Sequence, residues 1–286
     1  MSARRATAWD DWLGRQRVVE DVITGGAVNA LAATLDIPRA PAQRGEPLPC
    51  CWHWLYFQQP APASRLGADG HALRGDFLPP VNLPRRMWAG GRLQFYRPLR
   101  IGDSLRREST IADIACKRGA SGELVFVRLD HRILCGEELV LEEQQDLVFR
   151  EAPRGGTSQK HQRSPQPTPQ WSRSLQPDPV LLFRYSALTF NAHRIHYDRD
   201  YAVEQEGYAG LVVQGPLAAT LLLQQLQSEL PLVRVQRFEF RSLRPLLDNA
   251  PLTLQGRREN DAVELWVLDH QGDLAMQAHV QVSEQR

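Results

Sequence analysis

Two histidines and an asparagine lie close together in the stretch RYSALTFNAHRIHYD, residues 184–198. An apolar, strand-like run precedes a polar segment that carries Asn191, His193 and His196. Imidazole is the side chain best suited to exchange protons near neutral pH, because its ordinary pKa lies close to neutrality. The sequence therefore predicts a strand that leads into a loop with acid–base chemistry.

A second stretch, GYAGLVVQGP, ends in the pair Gly215-Pro216 and is followed by an apolar run. Proline at the first helical position predicts a buried helix over residues 216–230. Backbone N–H groups at a helix start can polarise a carbonyl oxygen, and glycine permits the close approach of a ligand. Gly215 is therefore a candidate oxyanion donor, although a tight turn alone would also explain this glycine.

Most of the remaining sequence has the alternating pattern of β-strands. Turns that contain glycine separate the strand-like runs, which cover residues 92–99, 104–117, 123–134 and 137–149, and then 233–241, 251–258, 263–270 and 274–282. Residues 9–35 instead have apolar side chains at helical spacing, which predicts one or two helices divided at Gly25-Gly26.

The sequence also predicts a duplication. Residues 152–169 are polar and rich in Pro, Ser and Gln, as is typical of a linker, and Phe95 precedes Asp103 at the spacing at which Phe240 precedes Asp248. Two copies of one unit follow, each a curved antiparallel sheet around a central helix. The predicted fold is α+β, a tandem (double) hot-dog fold. Its predicted parts are 1–150, a linker over 151–175, and 176–286.

Composition excludes several classes of function. The 34 basic and 33 acidic side chains give a net charge of +1, so neither a nucleic acid nor a membrane is predicted as a partner. The four cysteines lack CxxC spacing, and no run approaches the roughly 20 apolar residues that cross a bilayer. Without the apolar segment of a secretion signal, the expected location is the cytoplasm. The oligomeric state stays open, and a homo-oligomer is compatible with the sequence.

The motif resembles that of the MaoC-like (R)-specific enoyl-CoA hydratases, which have the hot-dog fold. The shared order is aromatic-Ser-x-x-(Ser/Thr)-x-(Asp/Asn)-x-x-x-Ile-His, then Tyr-Ala and a later Gly-Pro helix start. Two segments, LTFNAHRIHYD at residues 188–198 and RRMWAGG at residues 85–91, are similar to sequences in one branch of these proteins. That branch contains mesaconyl-C4-CoA and itaconyl-CoA hydratases and the mitochondrial hydroxyacyl-thioester dehydratase.

This resemblance implies a hydro-lyase that acts on an acyl-CoA thioester, with CoA as part of the substrate and no further cofactor. It implies hydration of itaconyl-CoA or mesaconyl-C4-CoA to citramalyl-CoA, as in itaconate degradation. Two alternatives remain open: a 3-hydroxyacyl-thioester dehydratase of fatty-acid metabolism, and a non-catalytic module that binds acyl thioesters. One active site per chain is expected, because only the C-terminal copy carries the motif.

Hydration of an enoyl thioester needs a base for water, a proton for the α carbon and donors for the enolate oxygen. His196 matches the motif histidine and is the candidate base. The acidic partner of the motif is replaced by Asn191, whose amide orients groups but accepts no proton. The missing proton transfer would then come from His193, or from His196 acting first as a base and then as an acid. The alternative is a pair of loop histidines that only bond to backbone carbonyls.

Five residues in motif-like segments are candidates for substrate binding: Arg86, Trp88, Gly90, Arg194 and Gln214. Either arginine could pair with a substrate carboxylate or a CoA phosphate, and Trp88 could line the acyl tunnel or belong to the core. The spacing His-x-x-His also occurs at metal sites. No third Cys, Asp or Glu ligand stands at a familiar spacing, so no metal is predicted.

Overall fold

A computed structural model describes residues 8–119, 122–151 and 166–284, and within these ranges ten strands form one antiparallel sheet. The first half contributes β1 (Gln16–Val22), β2 (Arg85–Phe95), β3 (Ser104–Gly119), β4 (Gly122–Cys135) and β5 (Glu138–Arg150). The second half contributes β6 (Trp171–Leu175), β7 (Val233–Ser242), β8 (Leu252–Glu259), β9 (Ala262–Leu268) and β10 (Leu274–Glu284). The α-helices are α1 (Gly25–Thr34), α2 (Pro179–Leu188) and α3 (Gly215–Glu229).

The two halves have the same strand order. Across the sheet the order is β1-β3-β4-β5-β2-β7-β10-β9-β8-β6. If the five strands of each half are numbered along the chain, both halves have the order 1-3-4-5-2 from the outer edge of the sheet to its centre. At the junction Leu93 of β2 pairs with Phe238 of β7. These residues stand two positions before Phe95 and Phe240, so equivalent positions of the repeat face each other. The two halves are therefore copies of one unit, as the predicted tandem hot-dog fold requires. The fold belongs to the predicted class, α+β.

Two glycines allow β2 and β7 to approach each other. A Cβ at Gly90 would clash with the carbonyl oxygen of Phe240, and a Cβ at Gly91 would lie 2.8 Å from the Phe240 ring. Glycine is therefore needed for this close strand contact. Gly90 is buried in the junction and does not line the cavity described below. Gly90 was predicted to bind substrate, and the structure instead places it where the two halves join.

Helix α3 is the apolar helix predicted over residues 216–230, and it begins at Gly215 with a proline in its first turn. Leu217, Leu222 and Leu226 are buried, and the helix packs on β2, β7, β8 and β9. The start of α3 therefore lies beside the junction of the halves. None of the helices in the described ranges is both long enough and apolar enough to cross a membrane.

The helix prediction for residues 9–35 was wrong in its first part. Residues 16–22 form the edge strand β1, which pairs with β3 and leaves Val18 and Val22 exposed. The spacing of these valines fits a helix as well as one face of a strand, and pairing with β3 decides between them. Helix α1 begins at Gly25 and is not divided there.

The apolar run before the motif loop is a helix and not the predicted strand. Asp178 caps α2, because its carboxylate accepts a hydrogen bond from the N–H of Leu181 at 2.7 Å, and Pro179 occupies the first turn. An acidic cap followed by proline is a helix-start signal. Leu182 and Tyr185 of this helix are buried in the core.

The predicted linker over 151–175 differs from the structure at its C-terminal end. Residues 152–165 lie outside the described residues. Residues Trp171–Leu175 form β6, an edge strand that pairs with β8. Its three central side chains are exposed. The strand was not predicted because its residues are mostly polar, although its backbone is paired with a neighbouring strand. The second half therefore begins before residue 176.

Candidate active site

A cavity of about 520 Å³ is lined by residues of both halves. This volume lies within the range of small-molecule sites. Most of the residues predicted to form the site line it, namely Asn191, His193, His196, Gln214 and Gly215 from the second half and Arg86 and Trp88 from the first. The fold thus brings together side chains that are more than a hundred positions apart.

His196 is a buried neutral base. Its Nδ1 lies 2.7 Å from the carbonyl oxygen of Val212. A carbonyl only accepts hydrogen bonds, so Nδ1 carries the proton and Nε2 keeps its lone pair. Burial lowers the pKa of His196 to about 4, with the charge of His71 adding to this effect and the bond to Val212 opposing it. The imidazole is therefore uncharged at neutral pH and able to accept a proton.

The motif loop is held by Asn191. Its side-chain oxygen accepts a hydrogen bond from the N–H of His193 at 3.1 Å, and its own N–H donates to the carbonyl of Ser186 in α2 at 2.8 Å. His193 is buried, with its ring centroid 5.3 Å from that of His196. Burial, followed by the charges of His71 and His196, lowers the pKa of His193. Asn191 therefore positions one imidazole beside another.

Gly215 lines the cavity. It lies in the first turn of α3, where N–H groups have no intrahelical acceptor. A Cβ at this position would lie 3.4 Å from the hydroxyl of Ser242, so the available space alone does not demand glycine. The N–H and the helix dipole can together stabilise negative charge on a thioester oxygen.

Gln214 connects α2 to the start of α3. It is 1% exposed, and its Nε2 donates to the carbonyl of Leu182 and the hydroxyl of Ser186, both at 2.9 Å. Its Oε1 has no hydrogen-bond donor within the part of the chain that the structure describes. The hydrogen bonds of Gln214 are therefore structural, and they fix α2 against the start of α3.

β2 supplies an aromatic wall and a cation. Trp88 donates from Nε1 to the carbonyl of Gly90 at 2.8 Å and packs edge-on against Trp54, with ring centroids 5.1 Å apart. Arg86 lines the cavity, and its guanidinium makes no hydrogen bond or salt bridge with any described residue. Burial lowers its pKa to about 10, partly offset by the charge of Asp69. Arg86 therefore remains cationic at neutral pH, with donors available to a ligand.

Arg194, which was predicted to bind a substrate carboxylate or a CoA phosphate, lies outside the cavity lining. Its guanidinium pairs with Asp198 at 2.7 Å and donates to the carbonyl of Ala68 at 3.0 Å. Its backbone N–H donates to the carbonyl of Asp69 at 2.9 Å. Arg194 therefore holds a segment of the first half, residues 67–73, against the motif loop.

Two residues of this segment, Asp69 and His71, lie beside His193 and were not among the site residues predicted from the sequence. The Nδ1 of His71 lies 2.9 Å from Oδ2 of Asp69, and its ring centroid is 4.2 Å from that of His193. Burial and the charge of Arg86 lower the pKa of His71 to about 4, and Asp69 opposes this. Burial raises the pKa of Asp69, but the hydrogen bond and charge of His71 hold it well below its usual range.

Asp69, His71 and His193 also present a set of potential metal donors. One ligand atom of each lies within 4.8 Å of the others. Only His193 of the His-x-x-His pair belongs to this set, and the other two donors come from the distant segment 67–73, so spacing within the motif could not reveal it. A carboxylate with two imidazoles suits a metal such as zinc. The same carboxylate already accepts the Nδ1–H of His71, which is equally the geometry of an acid–base pair.

The shared strand order, the cavity between the halves and the neutral imidazoles beside a helix start define an acid–base enzyme of the double hot-dog class. Residues 51–248 match the family model "Hydroxyacyl-thioester dehydratase type 2". The chain belongs to this family and is a hydro-lyase, which confirms the expected class of enzyme.

Curated relatives and solved structures agree with this assignment. The chain is 46% identical over 276 residues to the mesaconyl-C(4)-CoA hydratase of Chloroflexus aurantiacus, covering 96% of this chain and 98% of that protein. It is 32% identical over 228 residues to the mitochondrial hydroxyacyl-thioester dehydratase type 2 of Schizosaccharomyces pombe, covering 71% and 75%.

Two solved structures show the same fold at low identity. A MaoC-like dehydratase from Phytophthora capsici superposes with a TM-score of 0.70 at 12% identity, covering 95% of this chain and 96% of that one. A Mycobacterium tuberculosis protein described as having a double hotdog fold gives 0.60 at 14% identity, covering 94% and 96%. The predicted fold is confirmed.

Proposed function

We propose that this enzyme adds water to a short, branched dicarboxylyl-CoA, mesaconyl-C4-CoA or itaconyl-CoA, to give citramalyl-CoA, as in itaconate degradation. The observation that carries the proposal is Arg86 on the cavity wall. A carboxylate that enters the cavity loses its hydration, which costs several kcal/mol unless a partner replaces the water. Arg86 offers that partner. The relative that is 46% identical is named for mesaconyl-C(4)-CoA.

The reaction uses the groups in the following order. The Nε2 of His196 takes a proton from water as the water oxygen bonds to the β carbon. The π electrons move toward the thioester carbonyl, where the N–H of Gly215 stabilises the enolate oxygen. The proton that His196 took from water is then returned to the α carbon, so the imidazole ends neutral. Itaconyl-CoA has its double bond β,γ to the thioester, so a base at the same site would first move a proton to bring the bond into conjugation.

The experiment compares turnover of mesaconyl-C4-CoA, itaconyl-CoA, crotonyl-CoA and longer uncharged enoyl-CoA esters. Arg86→Met should lower kcat/KM severely for the dicarboxylyl substrates and spare crotonyl-CoA, because an unpaired arginine also disfavours an apolar tail. Arg194→Met is the matched control, since Arg194 lies outside the cavity lining, and any loss should be equal for charged and uncharged substrates. An equal loss for Arg86→Met as well would contradict carboxylate recognition.

A second candidate is dehydration of uncharged 3-hydroxyacyl thioesters. It is supported by the relative from Schizosaccharomyces pombe, which carries that name at 32% identity. The same base and oxyanion donor serve this reaction, because hydration and dehydration pass through one enolate. Here Arg86 would contact CoA or solvent and not the acyl end. A preference for C8 to C12 substrates without a carboxylate would favour this candidate.

A further inference from the structure

The motif loop has no acidic side chain at its acid–base position, because Asn191 stands there, yet a carboxylate reaches the site from the first half. Asp69 and His71 belong to the segment 67–73, which precedes β2. Its backbone is bound to the motif loop, since the N–H of Arg194 donates to the carbonyl of Asp69 at 2.9 Å. Asp69 does not itself line the cavity, but its carboxylate is bonded to His71, which does.

This segment is ordered by its own hydrogen bonds. The N–H of Gly67 donates to the carbonyl of His71 at 2.8 Å, and Leu66 bridges Ala72. Asp69 accepts two bonds from His71, one from the backbone N–H at 3.0 Å and one from Nδ1 at 2.9 Å. The imidazole of His71 is therefore fixed in orientation before any substrate binds, as positioned proton transfer requires.

Three imidazoles follow one another along the cavity. The ring centroid of His193 lies 4.2 Å from that of His71 and 5.3 Å from that of His196, and all three side chains line the cavity. One end of the series is fixed by the carboxylate of Asp69, and the other by the carbonyl of Val212. In both end histidines Nδ1 is the bonded donor, so each leaves Nε2 for chemistry.

We propose that Asp69 and His71 form the second proton-transfer group of the reaction, linked to His196 through His193. The proposal rests on the proposed function in that the reaction is the addition of water to a conjugated thioester. His196 takes a proton from water as the C–O bond forms at the β carbon. The proton passes through His193 to His71, and His71 delivers it to the α carbon, where the former π pair forms the C–H bond.

The step balances without any further reagent. One O–H bond of water and the C=C π bond are lost, one C–O and one C–H bond are gained, and every histidine ends neutral. The imidazolium formed on His71 is stabilised by the Asp69 carboxylate, as in a Ser-His-Asp triad. Asp69 thus provides the negative charge that Asn191 lacks.

The test uses two conservative variants, His71→Gln and Asp69→Asn, with His279→Gln on the exposed face of β10 as the matched control. Hydration is measured with mesaconyl-C4-CoA and crotonyl-CoA. Exchange of the α hydrogen is measured by NMR for butyryl-CoA in D₂O, since this saturated ester cannot lose water and isolates the α-carbon step. Thermal unfolding reports whether each variant is folded.

We expect His71→Gln to lower both kcat for hydration and the exchange rate by about a hundredfold, with KM changed by less than about threefold. Asp69→Asn should lower both by about tenfold or more, and His279→Gln should change neither. Retained exchange in a folded His71→Gln protein would overturn the proposal. The dicarboxylate assignment is tested separately by the wild-type protein. If it hydrates crotonyl-CoA but not mesaconyl-C4-CoA, that assignment fails and the proposed role of Asp69 and His71 does not.

Metal binding at the same residues is the competing outcome. Activity should survive dialysis against a chelator, and elemental analysis should find no stoichiometric metal in the active wild-type protein. If chelation abolishes activity, zinc restores it and Asp69→Asn protein no longer retains zinc, then the cluster is a metal site and the proton relay is wrong.

Discussion

Gly70 packs so closely against the carbonyl oxygen of Ala192 that no side chain fits between them. A Cβ built on Gly70 would overlap that oxygen, and its φ of +88° is one that other residues rarely adopt. Ala192 lies between the two motif residues Asn191 and His193. The contact therefore joins the segment 67–73 of the first half to the catalytic loop of the second.

Gly70→Ala should displace this segment and lower kcat for hydration by about tenfold or more, because small misplacements of catalytic groups are costly. Gly75→Ala is the matched control, since Gly75 also has a positive φ, +98°, but a Cβ there would meet only Pro80 at 3.9 Å. Both variants carry the backbone strain, and only the first disturbs docking. Equal kinetic effects in steady-state assays would show that docking at Gly70 is unimportant.

His196→Ala should lower kcat by roughly a hundredfold or more, because positioned acid–base catalysis contributes about that much. The carbonyl of Val212 loses its donor in this variant, which should also cost about 1–3 kcal/mol of stability. Kinetics and urea unfolding measured on the same preparation separate the two effects. Turnover like that of the wild type would rule out His196 as the base.

Stability should decrease as the pH is lowered from about 6.5 to about 4. The pKa values of His71, His131 and His196 are each lowered to about 4, chiefly by burial, from an ordinary value of 6.5. Above pH 6.5 these groups are neutral in both states, so the stability is fully present. Below it the unfolded chain binds more protons than the native protein, and each histidine removes about 1.4 kcal/mol per pH unit.

His131→Gln tests this linkage at one residue. His131 is buried, with Nδ1 2.8 Å from the hydroxyl of Ser109. Urea unfolding of wild type and variant at pH 7 and pH 5 should show a smaller loss of stability in the variant, whatever its stability at pH 7. The same pH dependence in both proteins would mean that His131 does not titrate as its burial predicts.

Asp178→Ala should reduce the free energy of unfolding by about 1 kcal/mol through loss of the cap on α2. Asp178→Asn is the control, since asparagine also accepts a hydrogen bond from the first turn. The exposed cap is remote from the cavity lining, so kcat should be unchanged in both. Chemical denaturation of the two variants provides the comparison, and equal stability would show that the cap contributes little.

The strands and α3 were predictable because their patterns are long and one face is buried. In residues 104–117 apolar and polar side chains alternate over most of β3. Residues 216–230 form a long apolar run after a proline, which predicts the buried helix α3. Helix α2 was mistaken for a strand because a short apolar run has no clear period. The deciding signal was the cap at Asp178, which is local and easily overlooked. β1 was mistaken for a helix because only its pairing with β3 distinguishes the two.

The active site was predictable where one continuous motif carries it. Asn191, His193, His196 and Gly215 lie on a single stretch of chain and its following helix. Asp69 and His71 were missed because their segment has no periodic pattern and reaches the site through tertiary contacts, among them the contact between Gly70 and Ala192. The converse holds for Arg194: it lies inside the motif, but its side chain pairs with Asp198 and does not line the cavity.

The pairing of Leu93 with Phe238 preserves a two-fold relation inside a single polypeptide. In a homodimer every substitution occurs twice, at symmetric places, so neither subunit can change alone. Here each half is encoded separately, and each has diverged: one provides the segment with Asp69 and the other the loop with His196. Because the two halves are covalently linked, one chain carries two different half-sites. A heterodimer could do the same only through the association of two different chains.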